Sequence, residues 1–251
     1  MKIKTIFFDF GDTLAYWSGS EVEIWLELLN QLGIRAKPDA IEQADQEAKA
    51  FFTPKIYEYK GRMEEFWQLF NSFVLNKLGI PDPDGRLAKA IERGFEQEED
   101  RWFHLYPESR ETLEALRRHG YKLGMISNNT DELLKRLDRL DLAKYFDSVT
   151  YSQEAGVEKP DPLIFQLALK RAQCAPEEAV HIGNSYEHDV VGARAVGITP
   201  ILIDRENHYP EADCLKIRDM RELEAMLASV GRLHSQLQEG NQSQDEHKPD
   251  K

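Results

Sequence analysis

Residues Ile3–Leu14 have the sequence IKTIFFDFGDTL, in which an apolar, β-rich run leads into a short polar loop. The run Ile6–Phe8 is entirely apolar, as is typical of a strand in the centre of a parallel sheet that is covered on both faces. Asp9 follows this run directly, and ligands of such sheets bind beyond the carboxyl ends of the strands. The stretch therefore predicts a reactive carboxylate at a sheet edge, although aspartate after a strand is also common as a turn or helix-cap residue.

The composition argues against several classes of protein. The chain has 251 residues, of which 41% are hydrophobic, enough for a full α/β domain and a smaller second domain. Its formal net charge of -13 argues against a nucleic-acid or anionic-membrane partner, because either would require a basic face. Neither a membrane-spanning apolar run nor a charged-then-apolar leader is visible, so we expect a cytoplasmic protein. Cys174 and Cys214 lack metal-ligand spacing and are expected to be small, at least half-buried residues rather than a disulfide.

The segment between Ala15 and Trp102 has helical periodicity throughout and no strand-like alternation, which predicts an inserted helical domain. Ser20 and Glu23 form a capping-box pattern ahead of an apolar stripe, and Gly33 suits the end of that helix. We expect the many aromatic side chains of this segment to pack between helices rather than to form a binding surface. The helices are predicted at Ser20–Leu32, Ala40–Phe52, Arg62–Leu78 and Asp84–Asp100.

The rest of the chain alternates short strands with helices, as parallel βα units require. Asp161 and Pro162 predict a helix start, because aspartate is a good N-cap and proline suits the first helical position. Asp219 is predicted to cap a last helix, Met220–Ser229. Further helices are expected at Glu108–His119 and Thr130–Leu140. The predicted strands are Tyr121–Ile126, Val149–Ser152, Ala179–Ile182, Pro200–Ile203 and Cys214–Ile217.

These patterns predict an α/β fold with a Rossmann-like parallel sheet and an inserted all-helical domain. The sheet domain would comprise residues 1–15 and 103–231, and the helical insert residues 16–102. The segment 232–251 is polar and aperiodic, so we expect it to be a disordered tail.

Three further motifs follow the first along the chain. They are GMISNN at Gly124–Asn129, EKPDP at Glu158–Pro162, and HIGNS at His181–Ser185 with Asp189 after it. In this order and spacing the chain, over about residues 3–203, resembles the haloacid dehalogenase (HAD) superfamily of hydrolases. Four ordered motifs are specific, whereas any one of them is not. The residues that match the family pattern are Asp9 and Thr13 in motif one, Ser127 in motif two, Lys159 in motif three, and Asn184 and Asp189 in motif four.

The resemblance implies phosphoryl transfer to a carboxylate. Asp9 would attack phosphorus in line and form an aspartyl phosphate, which water then cleaves. The hydroxyl of Ser127 and the backbone amides of Asn128 and Asn129 would bind phosphate oxygens. Lys159 would offset the negative charge of the phosphate and of Asp9. Without the other motifs, the same residues would suit a helix cap after a strand and a solvated loop lysine.

The resemblance also implies a magnesium ion, since a carboxylate that attacks an anionic ester faces like-charge repulsion. The expected ligands are the Asp9 carboxylate, the Gly11 carbonyl oxygen and the Asn184 amide oxygen. Asp189 would orient water or contact the ion. The family usually has an acid at position 184, and asparagine removes one negative charge, so we expect weaker metal affinity. The alternative is that Asn184 belongs to a turn and that Asp189 is an exposed helical acid.

Gly11 is the larger departure from the family pattern. Many family phosphatases have an aspartate at this position, which protonates the leaving group and activates water. Glycine cannot transfer a proton, and losing such a group commonly costs a factor of about 10²–10⁴ in rate. Asp12 is expected in the turn rather than as a substitute, because successive side chains of an extended segment point in different directions. A leaving group that needs no protonation, as in an acyl phosphate, or an acid from the helical insert would restore catalysis.

Three functions remain open at this point. The first is a magnesium-dependent phosphatase of a small phosphorylated metabolite. The second is a metal-independent hydrolase like the haloacid dehalogenases, which Asn184 and Asp189 allow. Against it, position 11 is a glycine and lacks the tyrosine usual in dehalogenases, and Arg35 is only a weak candidate for their carboxylate-binding arginine. The third is a feebly active binding or regulatory protein that keeps the fold. No motif indicates which substrate is bound or which oligomer forms.

Overall fold

The computed structural model describes residues 3–230 of the chain. The chain divides into two compact units, one of Met1–Ala15 with Leu105–Lys251 and one of Tyr16–His104. The first is an α/β unit and the second is predominantly helical, which confirms the predicted fold class. The predicted disordered tail, 232–251, lies outside the described residues.

The strands and helices have the following bounds. The strands are β1 (Thr5–Phe8), β2 (Ala15–Trp17), β3 (Phe103–Leu105), β4 (Lys122–Ser127), β5 (Ser148–Tyr151), β6 (Ala179–Gly183), β7 (Thr199–Ile203) and β8 (Leu215–Ile217). The helices are α1 (Glu21–Gln31), α2 (Pro38–Phe52), α3 (Met63–Lys77), α4 (Arg86–Trp102), α5 (Ser109–Arg118), α6 (Glu132–Arg139), α7 (Ser152–Ala155), α8 (Pro162–Ala172) and α9 (Gly192–Ala195). A 3-10 turn at Met220–Glu222 leads into a helix over residues 223–230. No helix within residues 3–230 is both long and apolar enough to span a membrane.

The α/β unit contains a six-stranded parallel sheet in the order β5-β4-β1-β6-β7-β8. β1 is an inner strand, with β4 and β5 on one side of it and β6, β7 and β8 on the other. The chain therefore adds strands in one direction from β1 and then in the opposite direction, and the topological switch point lies between β1 and β6. Ligands of open α/β sheets bind at the carboxyl ends of the strands at such a point. All residues of β1 and β6 are buried, which explains why their sequences are almost continuously apolar.

The helix α8 packs against the middle of this sheet. Ile164 and Phe165 belong to a buried cluster that also contains Phe7 of β1. Its start is the predicted one, since Asp161 Oδ1 accepts a hydrogen bond from the Leu163 N–H at 2.9 Å and Pro162 is the first helical residue. The last predicted cap is also present, with Asp219 Oδ1 accepting from the Arg221 N–H at 2.8 Å.

The helical unit has its own apolar core. The four predicted helices are all present as α1–α4, and Ser20 donates its N–H to the Glu23 carboxylate at 3.2 Å, as the capping-box pattern predicts. The aromatic residues pack inside the unit: the rings of Phe52 and Phe66 meet edge to face at 5.9 Å between centroids. Trp25 and Phe66 are each 1% exposed, so these rings form core.

The prediction that no strand occurs between Ala15 and Trp102 was wrong. β2 begins at Ala15 and pairs with β3 in a separate two-stranded sheet. Next to it, the Ser18 N–H donates to the Trp102 carbonyl at 2.7 Å. Strands of three residues are too short to show an alternating pattern, so tertiary pairing decides their conformation.

Candidate functional site

Asp9 is at the carboxyl end of β1, where the parallel sheet is expected to bind its ligand. Its backbone N–H donates to the Ile182 carbonyl of β6 at 2.8 Å, and its side chain is buried. Thr13, further along the same loop, has its hydroxyl 3.5 Å from Oδ1 of Asn184 in the loop after β6. The structure therefore brings residues of motifs one and four together at the switch point.

Lys159 is buried between two carboxylates. Its Nζ donates to Asp9 Oδ1 at 2.8 Å and to Asp189 Oδ1 at 2.6 Å, and only 3% of its side chain is exposed. The alternative of a solvated loop lysine is therefore excluded. Burial disfavours the ammonium ion, but Asp189 and Asp9 outweigh it and raise the pKa of Lys159. Burial also raises the pKa of Asp9, against the opposing charge of Lys159.

Asp189 supports this lysine and has both carboxylate oxygens engaged. Oδ1 accepts from Lys159 and lies 2.9 Å from His181 Nε2, while Oδ2 accepts from the Ser185 N–H at 3.0 Å. Burial opposes its charge, but Lys159 and His181 hold the pKa of Asp189 well below its usual range. The alternative of an exposed helical acid is excluded, because the π-helix Tyr186–Val191 places Asp189 inside the unit with 1% exposure.

Two residues near Asp189 were missed by sequence analysis. His181 is fully buried on β6 and its Nδ1 has no partner within the described part of the chain, so its visible polar contact is with Asp189. A histidine in the otherwise apolar strand AVHIG was the available signal. Gly183 leaves room for the carboxylate, because a Cβ at this position would lie 2.1 Å from Asp189 Cγ.

The loop after β4 presents Ser127 and uses the next two residues differently from the prediction. The Ser127 hydroxyl has no hydrogen-bond partner among residues 3–230 and is therefore available to a ligand. The Asn129 N–H donates to Ser152 Oγ at 2.9 Å, which is incompatible with its predicted role as a phosphate donor. The Asn128 side chain bonds to the backbone of Lys159, while its own backbone amide as a phosphate donor stays a prediction.

The oxygen atoms of Asp9, Gly11 and Asn184 fit the preference of magnesium for hard ligands. Asp9 and Asn184 follow adjacent strands, and Gly11 is exposed in the loop between β1 and β2. Asp189 accepts hydrogen bonds from Lys159 at Oδ1 and from the Ser185 N–H at Oδ2, and its role in orienting water or contacting the ion stays a prediction. Within residues 3–230, no group of three or more His, Cys, Asp or Glu side chains is placed to hold a metal ion. A site here would thus depend on carbonyl and amide oxygens.

The backbone of the loop after β1 explains the place of Asp12 but does not require a glycine at position 11. Asp12 takes the left-handed conformation, with φ of 52°, and its N–H donates to the Ala15 carbonyl at 2.6 Å. Gly11 does not have a positive φ, and a Cβ added there would meet no atom within 4 Å. Asp12 therefore has the expected place in the turn, and a side chain at position 11 would be accommodated without strain.

Comparisons with known proteins agree with this geometry. The chain is 32% identical over 212 residues to a glyceraldehyde 3-phosphate phosphatase of Methanothermobacter thermautotrophicus, covering 84% of this chain and 90% of the relative. It is 37% identical over 149 residues to a phosphoserine phosphatase of Thermus thermophilus, covering 58% of each. Among solved structures, a 2-haloacid dehalogenase of Pseudomonas syringae has a TM-score of 0.67 and 25% identity, over 90% of this chain and 99% of that one.

The sequence model of one hydrolase family matches residues 3–197, which include all four motifs. The matched range contains Asp9, Lys159 and Asp189, the three residues that meet at the switch point of the sheet. The chain therefore belongs to the haloacid dehalogenase-like hydrolase family.

Proposed function

We propose that this protein is a magnesium-dependent phosphatase of small phosphorylated metabolites and acts through an aspartyl phosphate on Asp9. The observation that carries the proposal is the buried contact of Asp9 with Lys159, at 2.8 Å, at the carboxyl end of β1. A buried carboxylate next to a fixed cation suits attack on an anionic ester. The similarity to two named phosphatases supports phosphate esters as the substrate class.

In the first step, a carboxylate oxygen of Asp9 forms a bond to phosphorus while the bond from phosphorus to the leaving oxygen breaks. Lys159 remains charged because its pKa is raised, so it offsets the charge of the entering phosphate. Asp189 keeps the lysine in place by accepting from its Nζ at 2.6 Å. The free hydroxyl of Ser127 donates to a phosphate oxygen.

In the second step, water attacks phosphorus and the bond to Asp9 breaks, which regenerates the carboxylate and releases inorganic phosphate. Asp9, the Gly11 carbonyl and Asn184 would hold the magnesium ion, which when bound supplies positive charge between the nucleophile and the anionic ester. Gly11 has no proton to give, so we expect substrates with good leaving groups, such as acyl phosphates, to react fastest.

A metal-independent hydrolase of the dehalogenase type is the second candidate. The observation that favours it is Asn184, which places a neutral amide at the switch point, where a carboxylate would bind magnesium more tightly. The similarity of the fold to a 2-haloacid dehalogenase agrees with this alternative.

A panel assay separates the candidates. Wild type and Asp9→Asn are incubated with phosphate esters, acyl phosphates and 2-haloacids, with magnesium and with a chelator, and released phosphate and halide are measured. We expect magnesium-dependent phosphate release that Asp9→Asn abolishes. Halide release in the chelator would establish the second candidate, and no release of either product would favour the binding or regulatory protein.

A further inference from the structure

We propose that Asn128 is a positioning residue that holds Lys159 in place and is not a direct ligand of the phosphate through its side chain. This inference rests on the proposed function, in which Lys159 offsets the charge of the phosphate. It concerns the clamp, which we define as the two hydrogen bonds between the Asn128 side chain and the Lys159 backbone.

Both ends of the Asn128 amide take part in the clamp. Oδ1 accepts a hydrogen bond from the Lys159 N–H at 2.7 Å, and Nδ2 donates to the Lys159 carbonyl at 3.1 Å. The amide would lose both bonds if it turned toward a ligand, and the backbone N–H and carbonyl of the buried Lys159 would be left without these partners, which is unfavourable. The side chain is thus committed to the lysine backbone.

The clamp completes the restraint on a long, flexible side chain. Two carboxylates fix the Nζ end of Lys159, whereas Asn128 fixes the backbone from which the side chain begins. A lysine held at one end would still sample several rotamers, and small displacements of a charged group from the reacting atoms are costly. Asn128 therefore acts on the phosphate through the position of the ammonium group.

The loop that carries Asn128 is itself held in place by hydrogen bonds. Ser152 Oγ accepts from the Asn129 N–H at 2.9 Å and donates to the Asn129 carbonyl at 3.1 Å. Gln153 Oε1 accepts from the Asp131 N–H at 3.0 Å. These bonds tie the loop after β4 to the start of α7, so Asn128 projects from a fixed backbone.

The test compares phosphate binding in a common parent, Asp9→Asn, which cannot turn over. Inorganic phosphate is titrated calorimetrically in magnesium-containing buffer into the parent and into variants with Asn128→Ala or Ser127→Ala. Each variant is made with Lys159 present and with Lys159→Met, or with Lys159→Gln if the methionine variant does not fold. Asn129→Ala is the matched control, because within the described part of the chain the Asn129 Oδ1 accepts a hydrogen bond only from the neighbouring Thr130 N–H, at 2.9 Å.

With Lys159 present, we expect Asn128→Ala to weaken phosphate binding roughly tenfold to a hundredfold. In the Lys159→Met background the same change should have no further effect, while Ser127→Ala keeps its full loss because the hydroxyl binds phosphate directly. Asn129→Ala should retain the affinity of the parent. An equal loss from Asn128→Ala in both backgrounds would overturn the proposal and make its side chain a direct ligand.

Thermal unfolding gives a second readout that separates this inference from the proposed function. The clamp consists of hydrogen bonds to the backbone of residue 159 and not to its side chain. Asn128→Ala should therefore lower the unfolding midpoint equally in both backgrounds. A shift confined to the Lys159 background would contradict the clamp. If the parent binds no phosphate and Asn128→Ala lowers the midpoint equally in both backgrounds, the proposed function is overturned while the clamp remains as a structural contact.

Discussion

Each unit of the molecule holds a lysine between two carboxylates, and the two arrangements differ in burial. In the α/β unit, Lys159 lies between Asp9 and Asp189 with 3% of its side chain exposed. In the helical unit, the side chain of Lys49 is 47% exposed. The same charge pattern thus occurs once inside the protein and once at its surface.

The surface arrangement has an ordinary explanation. Lys49 Nζ lies 2.7 Å from Asp45 Oδ2 and also pairs with Glu21, itself 46% exposed. The Asp45 side chain is only 9% exposed, but water reaches the half-exposed Lys49 and Glu21. Pairs of this kind contribute about 0–1 kcal/mol each, because water screens the charges.

The buried arrangement is weak evidence for a role in stability. Removing an ion from water costs several kcal/mol, so much of the attraction of Lys159 for Asp9 and Asp189 offsets this cost rather than adding to the stability of the fold. Buried charge clusters with shifted pKa values are concentrated at functional sites. The comparison shows that burial, and not pairing, distinguishes Lys159, the lysine of the proposed mechanism, from Lys49.

The largest effect is expected from the matched changes Lys159→Met and Lys49→Met. Lys159→Met should lower the rate of phosphate release about 10²–10³-fold, because it removes the charge beside the nucleophile. It should also cost about 3–5 kcal/mol in unfolding free energy, since two carboxylates lose their partner. Lys49→Met should leave the rate within roughly twofold and cost at most about 2 kcal/mol, since it removes two such pairs. Rate assays measure the first effect and urea unfolding the second. Similar effects of Lys159→Met and Lys49→Met would show that burial does not distinguish the two lysines.

A smaller effect is expected at Gly11, beside the buried arrangement. Gly11→Asp should raise the rate on alkyl phosphates by roughly tenfold to a hundredfold and on aryl phosphates by less, because help from a general acid grows with the basicity of the leaving group. Gly11→Asn is the control, since it adds a similar side chain that cannot act as a general acid or base. Equal or falling rates on both substrate classes, in a variant that folds, would show that proton transfer comes from elsewhere.

A further change concerns magnesium. Asn184→Asp should tighten magnesium binding by roughly tenfold, since it adds a formal charge to the proposed ligand set. Calorimetry measures the affinity directly, and magnesium should raise the unfolding temperature of the variant more than that of wild type. Asn76→Asp, at an exposed position of the helical unit, adds the same charge and should change neither quantity. Absence of magnesium binding in both wild type and Asn184→Asp would favour the metal-independent candidate.

Local patterns in the sequence predicted most of the fold. Asp161 with Pro162, and Ser20 with Glu23, marked helix starts because capping depends on residues within one turn. The short strand β2 was not predicted, since its conformation comes from pairing with β3, far along the chain.

The residues of the candidate site also fall into two groups, those that a local motif predicts and those whose contacts only the structure shows. Asp9 was found because it directly follows an apolar strand, and Lys159 because the motif at Glu158–Pro162 matches the family pattern. The contact of Asn128 with the Lys159 backbone and of His181 with Asp189 depends on side-chain directions across different loops and strands. Neither spacing nor composition encodes such directions, so these roles came only from the structure.

The proposed mechanism requires that Asp9 becomes covalently phosphorylated. The protein is mixed with a substrate from the panel assay, quenched rapidly and treated with borohydride, which reduces an aspartyl phosphate to homoserine and leaves a free carboxylate intact. Mass spectrometry of the peptides then reports positions 9, 12 and 189 in the same sample. We predict homoserine at position 9 only, and only when substrate and magnesium are both present. Phosphate release with an unmodified Asp9, or homoserine at Asp12 or Asp189 instead, would contradict the account.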